Sequence, residues 1–88
     1  MEFSTIGAQD SLDEAKKRLN DFEILVVWGG DRIIGVLTSE NIGNHGSCGS
    51  ACNLDILIDP SPGKSSKWKP DYVIKTEDGE PVMVSHGP

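Results

Sequence analysis

The sequence predicts an α+β domain: a small, mainly antiparallel sheet with one longer helix and one short helix packed on it. Three observations predict it. A single amphipathic helical stretch, "DSLDEAKKRLND", lies between short β-rich runs. Two pairs of such runs flank turn dipeptides, Gly29-Gly30 and Asp78-Gly79, in the form of β-hairpins. The 88 residues suffice for one domain, residues 1–88, and 36% of them are hydrophobic, concentrated between Phe22 and Leu37. A chain this short buries a modest core, so a dimer, metal or ligand would help to hold it.

The elements follow in order. "FSTI" is apolar and β-branched, a first strand. Ser11 followed three residues later by Glu14 has the form of a capping box and opens the helix. Leu12, Ala15 and Leu19 recur on one helical face. Asp10 and Asp13 near the start, and Lys16, Lys17 and Arg18 toward the end, complement the helix dipole. Asn20 and Asp21 end it. Ile24 to Trp28 is too short for a helix and reads as a strand covered on both faces. "DRIIGVLT" returns antiparallel to it. "SENIGN" predicts the short helix, with Ser39 as its cap and Gly43 and Asn44 as its limit. "GNHGSCGSACN" reads as a loop by composition, "LDILID" as a strand and "PSPGKSSKWKP" as a second loop. "DYVIKT" and "PVMVS" complete the second hairpin. No internal repeat is visible.

One stretch carries a family pattern. "FSTIGAQDSLDEAKKRL...ILVVWGGDRIIGVLTSENI", about residues 3–42, resembles a cystathionine-β-synthase (CBS) motif. That family reads strand, helix, strand, strand, helix. It closes on Gly, a hydrophobic residue, any residue, Thr or Ser, two further residues, and Asp or Asn. Gly35, Val36, Thr38 and Asn41 match this closing segment. The resemblance implies an adenine nucleotide (AMP or ATP) as ligand, with Thr38 at a phosphate and Asn41 at a ribose hydroxyl. Gly35 would allow close backbone approach. The Pro that often precedes the "VV" pair is Leu25 here, and the helix-to-strand segment is several residues shorter than in the family. Family members pair two motifs around a shared cleft. No second motif is visible in residues 43–88, so the resemblance implies a homodimer that supplies it in trans.

The residues alone allow another reading of Thr38 and Asn41. Thr38 then only closes the strand, and Ser39 caps the short helix. His45, Cys48 and Cys52 place three metal donors in eight residues, with His86 available as a fourth. Their spacing is no standard zinc knuckle, and zinc is not expected. "DPSPGKSS" lacks the first glycine of a phosphate-binding loop, since Ile58 stands there. Lys64, Lys67 and Lys69 around Trp68 read as a solvated loop. Trp28 and Trp68 are either core residues or interaction anchors. The scattered carboxylates show no spacing that assigns an acid and a base, and no catalytic residue is proposed.

The formal net charge of −6 argues against nucleic-acid or anionic-lipid partners, which need a positive field. No apolar run approaches a membrane span, and the first ten residues lack the form of a signal peptide. A cytoplasmic location with reduced cysteines is the expectation. The leading functional expectation is a non-enzymatic regulatory or binding module that senses an adenine nucleotide as a homodimer. The alternative is a ligand-free accessory protein that binds another protein. A zinc-stabilised domain using His45, Cys48 and Cys52 comes third.

Overall fold

The computed structural model describes residues 1–43, 46–60 and 69–87. The elements run β1 (Phe3–Gly7), α1 (Leu12–Arg18), β2 (Ile24–Gly29), β3 (Arg32–Leu37), α2 (Cys48–Ala51), β4 (Ile56–Ile58), β5 (Tyr72–Glu77) and β6 (Glu80–His86). They form two three-stranded sheets, β1-β2-β3 and β4-β5-β6, where the sequence predicted one sheet. Each sheet holds one parallel pair and one antiparallel pair, so the expected antiparallel bias is absent.

The two sheets repeat one plan. A strand is followed by a crossover, a second strand parallel to it, a tight turn and an antiparallel third strand. The registers coincide: Val26 pairs with Val36 as Ile74 pairs with Val84, and Leu25 with Leu37 as Val73 with Ser85. Both hairpins carry a bulge at the matching place, between Val27 and Trp28 in one and between Lys75 and Thr76 in the other. A second strand unit therefore follows the first in the same chain. The sequence concealed it because the units share few residues.

β2 is buried on both faces, as its unbroken apolar run predicts. Leu25 and Val27 face one cluster with Ile6, Leu12, Ala15, Leu37 and Cys48, under the helices. Ile24 and Val26 face the other way and join Val36, Ile74 and Val84. That second cluster is the seam between the sheets, and its five members are fully buried. Burying each such aliphatic side chain is worth roughly 1.5–3 kcal/mol, so neither sheet can part from the other cheaply.

Local chemistry accounts for the elements and for the departures from expectation. The Ser11 hydroxyl accepts the Glu14 N–H at 3.2 Å, the first half of a capping box. The Glu14 carboxylate turns instead to Arg18 Nε at 3.3 Å, within α1. Arg18 also donates to the Thr5 carbonyl and ties the helix to β1. Both helices are short, seven residues in α1 and four in α2. Of the two glycines in the first turn, Gly30 takes the positive φ of 72°, while Gly29 stays in the ladder opposite Arg32. The second turn uses Asp78 (φ 54°) and Gly79 (φ 82°), the left-handed pair that a two-residue hairpin requires.

The second helix is displaced from its predicted place. Residues 39–41 form a turn, because Asn41 folds back on Thr38. Helix α2 forms instead within the predicted loop. Its first N–H groups dock on the loop before α1, Cys48 N–H on the Asp10 carbonyl at 3.2 Å and Gly49 N–H on the Ala8 carbonyl at 2.9 Å. A side chain at Gly49 would meet Ala8 Cβ at 2.8 Å, so glycine permits the approach. The loop 61–68, with Lys64, Lys67 and Trp68, lies outside the described residues. Among the described residues no helix is long and apolar enough to cross a membrane.

Candidate functional site

The end of β3 and the start of the second hairpin meet at a cleft of about 250 Å³. Thr38, Glu40 and Asn41 form one wall, and Asn53, Asp71, Tyr72 and His86 the other. The two units contribute matching positions. Thr38 follows Leu37 just as His86 follows Ser85, the residue paired like Leu37 in its own hairpin. The predicted pair Thr38 and Asn41 thus opens onto a cleft that the second unit completes. A partner in trans is not needed to build it.

On the first wall, the Asn41 side-chain oxygen accepts the Thr38 N–H at 3.1 Å and stands 2.8 Å from the Thr38 hydroxyl. The Asn41 N–H in turn donates to the Thr38 carbonyl at 3.0 Å. The Asn41 side chain therefore closes the strand end, and no helix starts at Ser39. On the second wall, the Tyr72 and His86 rings lie 5.3 Å apart, tilted by 33°. Asn53 Nδ2 donates to Asp71 Oδ2 at 2.9 Å, and Asn53 Oδ1 accepts the Asp55 N–H at 2.8 Å. The backbone of Asn53 bonds both ways with Val36, at 3.0 and 2.7 Å, fixing this wall to β3.

Gly35 does not line the cleft. It is buried in β3, where an added side chain would meet the Asn53 carbonyl oxygen at 2.5 Å and Cys52 Sγ at 2.9 Å. The close approach that it permits is that of the chain's own linker. His45 lies outside the described residues. Cys48 is buried, with its thiol toward the Ser11 carbonyl at 3.4 Å, and the Cys52 thiol faces the Gly49 carbonyl at 3.4 Å. Burial pushes both thiols up from their ordinary pKa, and at Cys48 the Asp10 carboxylate adds to the effect. Both stay protonated at neutral pH in the metal-free chain. Among the described residues no three His, Cys, Asp or Glu side chains converge as a metal site.

Sequence reasoning missed Asn53, Asp71, Tyr72 and His86 as site residues. The available signal was the second hairpin: aligning its Asp78-Gly79 turn with Gly30-Asp31 sets His86 over Thr38.

No family model matches the chain, and no curated protein matches it. Among solved structures, Staphylococcus aureus OpuCA is similar in fold, with a TM-score of 0.64 and 17% sequence identity. The match covers 98% of this chain and 86% of that one, so it takes in both strand units. At this identity the likeness is one of fold alone.

Proposed function

We propose that this CBS-like fold serves as a regulatory module that binds an adenine nucleotide or nucleoside in the cleft between its two strand units. One observation carries the reading: Thr38 and Asn41, which match the family's closing segment, share a cleft with residues of a second unit in the same chain. Tyr72 and His86 offer ring surface for a base, and the hydroxyl, amide and carboxylate groups suit a ribose. Binding, not catalysis, is the proposed role. Pairing of two copies would then serve signalling rather than site construction, and sedimentation velocity measures it.

Calorimetric titration with adenosine, AMP and ATP tests the reading. The expected outcome is saturable binding that weakens about tenfold in Asn41→Ala, the scale of one lost hydrogen bond. Thr38→Ser keeps the hydroxyl and should retain binding. Absence of binding by all three compounds sinks the proposal.

A second reading, a ligand-free interaction protein, draws on Leu54, Val82 and Met83, which are 67%, 51% and 51% exposed. Recovery of a stoichiometric protein partner, lost on Val82→Ser, would support it.

A further inference from the structure

We infer that the cleft selects ligands that donate hydrogen bonds and carry no net negative charge, a nucleoside or a cationic nucleoside derivative rather than a nucleoside polyphosphate. This rests on the reading of the cleft as a nucleoside site and specifies its ligand class.

The argument begins at Thr38. Its backbone N–H can only donate, and the atom receiving it at 3.1 Å is the Asn41 side-chain oxygen. That contact fixes which end of the amide points at Thr38, because the flipped amide would set N–H against N–H. The Thr38 hydroxyl stands 2.8 Å from the same oxygen, which has no hydrogen to give, so the hydroxyl is the donor. A threonine hydroxyl has one proton, and here it is committed to Asn41. What Thr38 Oγ1 has left for a ligand is lone pairs. It can accept from a ribose hydroxyl or an amino group, but it has no hydrogen for a phosphate oxygen.

The charges in the cleft point the same way. Glu40 and Asp71 bring two carboxylates, and the described lining residues include no lysine or arginine. Asp71 takes one hydrogen bond from Asn53, a neutral amide that does not cancel its charge. Phosphate sites present backbone N–H groups or cations. The donors in this described lining, such as the Asn41 amide nitrogen, sit beside two carboxylates, in a chain whose net charge is −6. A ribose diol can donate to a carboxylate and to Thr38 Oγ1 together, whereas each added phosphate brings like charge toward Glu40 and Asp71.

The test titrates the intact chain with adenosine, AMP and ATP at one pH and 0.15 M salt. Adenosine should bind tightest, AMP several-fold weaker and ATP at least tenfold weaker than adenosine. Raising the salt to 0.5 M should narrow the spread, since screening weakens charge repulsion. Glu40→Gln and Asp71→Asn should each reduce the adenosine-to-ATP ratio about threefold or more, with circular dichroism confirming that they fold. ATP binding as tightly as adenosine overturns the charge selection but leaves the nucleoside reading standing. A spread unmoved by both salt and the substitutions also overturns it. Absence of binding by all three compounds overturns the nucleoside reading, and the selection falls with it.

Discussion

The two strand units share a skeleton but differ in how their faces are covered. On the inner faces the paired positions stay apolar in both: Val26 and Ile74, Val36 and Val84, Ile24 and Tyr72. On the outer faces they diverge. Leu25, Val27 and Leu37 lie buried beneath α1 and α2, while their counterparts Val73, Lys75 and Ser85 are half-buried or exposed. Among the described residues no helix covers the second sheet. Each position follows the chemistry of what covers it, so the repeated backbone keeps a common apolar pattern only along the face that the units bury against each other.

The largest expected effect breaks this shared face. Ile74→Ala removes a fully buried side chain from the second unit and should cost about 3 kcal/mol, read from urea unfolding. Its mark should also appear in the first unit as faster amide exchange in β2. Unchanged protection at Val26 and Val27 would mean that the units do not share one cooperative core.

Next in size is a contrast at one matched position. Gly35 and Met83 occupy equivalent places in their hairpins. Gly35→Ala drives a methyl group into the Asn53 carbonyl and should cost about 2 kcal/mol, as overpacking in a tight site does. Met83→Ala, at a half-exposed site, should stay within about 0.5 kcal/mol. Equal losses would show that the two outer faces are covered alike.

The smallest effect is electrostatic and belongs to the second unit alone. Asp59 accepts the N–H of Thr76 at 2.7 Å and also its hydroxyl, which holds its carboxyl below the usual 3.8. A folded pKa below the unfolded one gives stability that is present above about pH 3.8 and is lost as pH falls through the folded value. Asp59→Asn should flatten that acid limb slightly. The first unit has Ile6 at the matching place and nothing to titrate there. An acid limb of unchanged steepness in Asp59→Asn would remove this difference between the units.

How much of this was legible in the sequence follows from where each signal resides. β1, α1 and both hairpins are specified locally, by alternation, a capping serine and turn residues such as Asp78-Gly79. Helix α2 was not legible, because what stabilises it is tertiary: its N–H groups meet carbonyls of Ala8 and Asp10, some forty residues earlier. In sequence the turn at Thr38 is indistinguishable from a helix start, since both begin with a hydroxyl residue and only the Asn41 side chain decides between them. Thr38 and Asn41 could be named from a pattern. Asp71, Tyr72 and His86 could not, because they reach the cleft only through the pairing of the second unit, whose likeness to the first shows in the sequence at only about three apolar residue pairs.

Asn53 gives the molecule a mechanical property. Its backbone N–H and C=O bond to Val36, its amide nitrogen to Asp71, and its amide oxygen to the Asp55 N–H. All its polar groups are thus engaged, and they span the first sheet, the cleft wall and the approach to β4. Asn53 thus adds a polar rivet in the cleft wall to the apolar seam between the units. A molecule in the cleft would therefore touch the very residue that ties the cleft wall to β3.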